Sequence, residues 1–126
     1  MILFAGAVLG LISVAFGAYA EHGLQASLSS NAFDSVRTAV WYNQIHAVVV
    51  TVIGLVRLRA PGPSGSPAIE WAAWCFVAGT VLFCFSIYLS AVTGIPGIRA
   101  AAPFGGTALM AGWAALAWAG IRASRL

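Results

Sequence analysis

Long uninterrupted apolar runs, separated by short polar ones, organise the chain. Met1 to Ala20 contains no charge, and at about 1.5 Å per residue a helix of that length crosses a hydrocarbon core of about 30 Å. Glu21 to Arg37 is polar, and Thr38 to Val56 is apolar again and ends in Arg57 and Arg59. Ala60 to Ala68, APGPSGSPA, is a linker whose prolines, glycines and serines do not suit a helix. Trp71 to Val92 carries no charge, Thr93 to Pro103 reads as a turn through Gly94, Pro96 and Gly97, and Phe104 to Ile121 is the last run before Arg122 and Arg125. The pattern predicts a single all-α integral membrane domain, a bundle of four transmembrane helices at about 1–20, 38–57, 70–92 and 104–122.

Between the first two runs, Leu24, Leu28, Phe33 and Val36 alternate with Ser27, Ser29, Asn31 and Asp34. This spacing predicts a short amphipathic helix at the membrane surface over about 24–37. Ser29, Ser30 or Asn31 offers a cap to a helix continuing into the second span. Ala18-Tyr19-Ala20 has the small-x-small form of a signal-peptide cleavage site, but no positive region precedes the run, which favours a retained span.

Composition agrees with the pattern. Of 126 residues, 61% are hydrophobic and 7% charged, against about 25% charged in an average soluble domain. A water-soluble globule is thereby excluded. The net charge of +3 comes from six arginines and three acids, with no lysine, spread along the chain, whereas nucleic-acid surfaces need clustered Lys and Arg; membrane lipid is the expected partner and nucleic acid is not. Arg57, Arg59, Arg122 and Arg125 fall on one side of the predicted bundle and Arg37 and Arg99 on the other. The positive-inside rule then favours both termini in the cytoplasm, and the lysine-free, Ala- and Gly-heavy usage points to a bacterial source and so to a bacterial cytoplasmic (inner) membrane. Trp71 and Trp74 fit an interfacial anchor. Cys75 and Cys84 fall on opposite faces of one helix, about 13 Å apart along it, too far for a disulfide, and read as structural thiols.

Small residues form stripes. Gly6, Gly10, Ser13 and Gly17 share one face of the first helix, and Gly105 and Gly112, with Ala108, Ala115 and Ala119, repeat the device in the fourth. Such stripes permit close helix approach, within the bundle or between copies of it, so a homo-oligomer or a seat in a membrane protein complex stays open. Ala5-Gly6-Ala7-Val8-Leu9 echoes Ala78-Gly79-Thr80-Val81-Leu82, with Ser13 matching Ser86, either as the trace of a duplicated hairpin or by chance in so apolar a chain.

Polar residues within spans ask for a partner or a function. With both termini inside, Tyr42, Asn43 and His46 lie in the outer half of the second helix, Ser86 and Tyr88 in that of the third, and Glu21 and His22 at the outer end of the first. Tyr42, Asn43 and His46 are spaced to share one face. One reading is an outward-facing pocket in which His46 titrates or ligates, oriented by Glu21 or Tyr88; the other is an interhelical hydrogen-bond network that fixes helix register. His22 and His46 form no metal-ligand spacing, so no metal or other cofactor is expected. No nucleophile-base or phosphate-loop motif supports an enzyme.

These residues also carry a resemblance. Phe16-Gly17-Ala18-Tyr19-Ala20-Glu21-His22-Gly23-Leu24 is similar to G-A-F-G-A-H-x-L, and Thr38 to His46 to T-x-x-x-Y-Q-x-x-H. Gly79 to Phe83 with Ser86 and Tyr88 is similar to G-x-x-L-F-S-G-S-L-Y, and Pro103-Phe104-Gly105-Gly106 with Ala111-Gly112-Trp113 to T-P-x-G-G and a downstream A-G-W. Over nearly its whole length the chain resembles the YgdD-like family of small four-helix membrane proteins of unknown function. Glu21, Asn43, Phe85 and Ala102 depart from that pattern. The resemblance implies the fold and the membrane location, matches the polar group residue by residue and assigns no reaction. The expectation is an uncharacterised multi-pass protein, a non-enzymatic bundle or accessory subunit, with binding or transport of a small molecule or ion through the polar pocket as the alternative.

Overall fold

The computed structural model describes residues 1–59 and 66–125. Residues 60–65 of the expected linker lie outside that description. Four helices long and apolar enough to cross a membrane account for the chain: α1 (Ile2–Leu24), α2 (Ser30–Arg59), α3 (Pro67–Thr93) and α4 (Pro96–Ala123). The described residues contain no strand. Two helices carry a wider turn. α1 closes in a π-helical turn, Ala20–Leu24, and α3 is interrupted by another, Val81–Phe85. A 3₁₀ stretch, Pro96–Ala101, opens α4.

Local chemistry sets the helix ends. Pro67 and Pro96 start their helices where a missing N–H costs nothing. Gly94, at φ 72°, ends α3 in the left-handed conformation, its N–H donating to the Ser90 carbonyl. Ser29 Oγ accepts from the Ala32 N–H at 3.3 Å and caps α2. With that cap, α2 begins well before residue 38, so the separate surface helix expected over 24–37 does not form. Phe33 and Val36 are buried in the core, which draws the amphipathic stretch into α2 as two extra turns.

The helices pair as neighbours in sequence, α1 with α2 and α3 with α4. A β-carbon added at Gly6 would stand 2.6 Å from the Thr51 backbone, and one at Gly54 2.5 Å from that of Leu3. Gly10 faces Ala47 and Gly17 faces Val40. The residue numbers in each of these pairs add to one constant, so α1 and α2 run antiparallel without slipping over the whole seam. The second hairpin keeps its own constant: Gly79 meets Leu109, Gly105 meets Phe83 and Gly112 meets Phe76. Since lipid is as apolar as leucine, close van der Waals contact is what holds such pairs together.

The echo between α1 and α3 has a structural counterpart. Gly6 and Gly79 each press against the following helix. Ser13 and Ser86 each donate to the carbonyl three residues back, Gly10 at 2.7 Å and Phe83 at 2.9 Å. The apolar side chains left outside, among them Leu11, Val48, Leu89 and Met110, are exposed as a lipid-facing surface requires. At one end Arg57 pairs with Glu70 at 3.0 Å, joining the end of α2 to the start of α3. Cys84 is buried, Cys75 half-buried, and both are free.

The close approach gives a controlled test. Gly105→Ala would drive a methyl into the Phe83 backbone and should cost about 1–3 kcal/mol. Gly106→Ala meets nothing within 4 Å and should be neutral or better by up to about 1 kcal/mol through helix propensity. Thermal unfolding of the two variants in one detergent separates them.

Candidate functional site

With α2 beginning at Ser30, the polar residues sit deeper than the sequence suggested. His46 is nine residues from Arg37 and eleven from Arg57, about 14 and 17 Å along the helix axis. It therefore lies near the middle of the span rather than in one half. Unpaired polar groups at that depth are expensive.

His46 uses both ring nitrogens within the chain. Trp113 Nε1 on α4 donates to His46 Nε2 at 3.2 Å. An indole nitrogen can only donate, so Nε2 accepts and the ring proton sits on Nδ1. Nδ1 then donates to the Tyr42 carbonyl, one turn back, at 2.7 Å. Aromatic rings pack around the imidazole: Phe76 on α3 at 5.3 Å between centroids and Tyr42 at 5.9 Å. Phe76 and Trp113 meet edge to face at 5.2 Å. One histidine thus joins α2, α3 and α4.

Asn43, one turn from His46 on the same helix, serves the other side of the bundle. Its Nδ2 donates to the Tyr88 hydroxyl of α3 at 3.2 Å. The Tyr88 ring stacks on Phe16 of α1 with centroids 3.9 Å apart. Asn43 is fully buried, yet its Oδ1 finds no partner, and neither does the buried Thr80 Oγ1 at the start of the π-helical turn in α3.

The expected group is only partly assembled. The structure brings together Asn43 with Tyr88, and His46 with the backbone and ring of Tyr42, a residue that is 41% exposed. Ser86 spends its hydroxyl on its own helix. Glu21 and His22 do not close the group: the π-helical turn carries both to the exposed end of α1, where Glu21 pairs with Arg37 at 3.5 Å. A carboxylate there keeps its hydration, which the bundle interior could not provide. Neither Glu21 nor Tyr88 orients His46; Trp113 and the Tyr42 carbonyl do. Among the described residues, no three of His, Cys, Asp and Glu gather as metal ligands.

Trp113 is the partner that residue-by-residue reading missed. A signal was present: Gly105 and Gly112 lie on the face of α4 that meets α3, so the next residue turns about 100° toward α2. Beside this contact a crevice of about 390 Å³ separates α2 from α4, walled by Tyr42, His46, Thr107 and Trp113.

Four spanning helices, glycine-closed seams and polar residues paired at mid-depth define a multi-pass helical membrane protein. The chain belongs to the family described as protein of unknown function DUF423, whose model matches residues 16–106. A UPF0382 membrane protein of Staphylococcus haemolyticus is 33% identical over 90% of this chain and 88% of its own length. The UPF0382 membrane protein YwdK of Bacillus subtilis is 32% identical over 93% of each, and one from Haemophilus influenzae is 30% identical over 95% and 93%. No solved structure matches the chain. The region matched by the family model includes Asn43, His46 and Tyr88 and ends before Trp113.

The His46–Trp113 bond can be isolated with a double-mutant cycle. His46→Leu, Trp113→Phe and the pair, unfolded at equilibrium in mixed micelles, should reveal a coupling of about 0.6–1.7 kcal/mol. Thr80→Val removes a buried hydroxyl that has no partner and should raise stability by about 1 kcal/mol in the same assay.

Proposed function

We propose that this chain is a non-enzymatic membrane bundle of the YgdD type, an accessory or scaffolding subunit whose buried polar residues tie its helices together. The observation that carries the reading is the occupancy of both His46 ring nitrogens by groups of the same chain. A histidine so bound has no lone pair left for a metal or substrate and no open site for an arriving proton. Its neighbours support the same role, since Asn43 and Tyr88 also answer one another across helices. The proposed setting is a bacterial cytoplasmic membrane with both termini on the cytoplasmic side. Four arginines, Arg57, Arg59, Arg122 and Arg125, lie toward that end, against Arg37 and Arg99 at the other.

A second reading, an aromatic-walled pocket for a small molecule, draws on the crevice between α2 and α4, where His46 and Trp113 form part of the wall. His46→Ala separates the two. As a structural tie, its loss lowers the unfolding midpoint of the purified protein, while the partners that co-purify with the tagged chain in mild detergent keep their stoichiometry until the bundle melts. A small molecule that leaves the wild-type protein on this substitution, with the midpoint unchanged, would overturn the scaffold reading. For orientation, a green fluorescent protein fused to the C-terminus should fluoresce and an alkaline phosphatase at the same point should be inactive; the reverse pattern would invert the topology.

A further inference from the structure

The lipid-facing side of the α1/α2 seam holds two depressions that share a residue. The first, about 530 Å³, lies at the Glu21 end and is lined by Glu21, Asp34, Arg37, Thr38, Trp41 and Gln44, with Gly17 and Ala20 behind them. The second, about 430 Å³, continues down the seam from Gln44 over a floor of Gly6, Gly10 and Ala47. Together they form one groove, polar at the membrane surface and apolar below.

Three side chains along α2 are left with unmet demands. Asp34 has no cation within ion-pair distance among the described residues. Arg37 touches only one oxygen of Glu21, at 3.5 Å, with 63% of its side chain exposed. Gln44 is exposed on the groove and makes no side-chain hydrogen bond to a described residue. A carboxamide facing hydrocarbon without a partner costs free energy. Arg37 lies about 4.5 Å below Asp34 along the axis and Gln44 about 10 Å below Arg37, all close to one face. From surface to interior the groove therefore presents an anion, a cation, an amide and then an apolar channel. Trp41, 71% exposed beside them, marks the interface.

We propose that this groove is a binding site for one diacyl phospholipid with a primary-amine headgroup. Asp34 and Glu21 accept hydrogen bonds from the ammonium, Arg37 donates to the phosphate, and Gln44 donates to an ester carbonyl. One acyl chain lies along Gly10 and Ala47 toward Gly6. The order of charges on α2 matches the order of groups in such a lipid. A primary ammonium, unlike a quaternary one, has N–H donors for the two carboxylates. A headgroup without an ammonium would keep the phosphate on Arg37 but leave Asp34 and Glu21 without a cation.

Native mass spectrometry of the full chain, released from detergent after titration with dioleoyl phosphatidylethanolamine, phosphatidylcholine or phosphatidylglycerol, tests the site. The expected result is one retained phosphatidylethanolamine, favoured about fivefold over each of the others, the ratio that about 1 kcal/mol supplies. Asp34→Asn, an exposed change that leaves the core intact, should erase the preference over phosphatidylglycerol. Gly10→Leu, which fills the channel, should lower retention of all three lipids. Equal retention of the three by the wild-type chain overturns the proposal, and so does an unaltered preference in Asp34→Asn. A lipid-free dimer dissociated by Gly10→Leu also overturns it, because a second copy would then occupy the groove.

Discussion

Asn43 and His46, one turn apart on α2, must find hydrogen-bond partners at a depth where neither water nor lipid supplies any, and the bundle is arranged around that demand. Asn43 turns to Tyr88, whose ring rests on Phe16, and so engages α3 and α1. His46 turns to Trp113 and packs on Phe76, engaging α4 and α3. Through these two residues α2 contacts α3 and α4 directly and reaches α1 by way of Tyr88. Apolar packing alone would tolerate rotation of one hairpin against the other; a hydrogen bond near 3 Å does not.

Glycine closes the two seams. At Gly6, Gly54 and Gly105 the facing backbone occupies the place a β-carbon would take. The hairpins close tightly because nothing larger stands between them. This division of labour, contact energy from the seams and direction from a few polar groups, suits a solvent that gives helices no hydrophobic reason to associate. It also accounts for the polar ends. Glu21, Arg37, Arg57 and Glu70 pair where water still reaches them, while the mid-depth cross-helix bonds, Asn43 to Tyr88 and Trp113 to His46, join uncharged side chains.

The four spans were legible because charge-free runs of about twenty residues have few alternatives. That α1 carries a close-contact face could be read from the spacing of Gly6, Gly10 and Gly17, but that α2 fills it could not, since a stripe of small residues does not name its partner. The start of α2 was less legible. The stretch from Leu24 to Val36 has the polarity of a surface helix, and only burial of Phe33 and Val36 in the core shows that it belongs to the span. The polar group was half legible, since periodicity puts Asn43 and His46 on one face but cannot say which opposing residue reaches them. Tyr88 stands out as a hydroxyl within a span, whereas the Trp113 indole reads as an ordinary apolar residue, although both act through a polar atom far from their own backbone. Glu21 and His22 share the outer end of α1 that periodicity gave them, but sequence could not show that Glu21 pairs there with Arg37 and does not close on His46.

Each seam joins two helices that are consecutive in the chain, whereas the His46 to Trp113 bond spans 67 positions and joins the two hairpins. During synthesis, α1 and α2 can therefore zip into a hairpin before α3 exists, and α3 can wait for α4 in the same way. Until the fourth helix enters the membrane, His46 has no indole to meet and its Nε2 remains without a donor. Entry of the fourth helix is thus registered at a single imidazole. A truncated product would carry that unmet lone pair at mid-depth, a mark that distinguishes unfinished molecules from finished ones for any quality-control machinery able to sense polarity inside the bilayer.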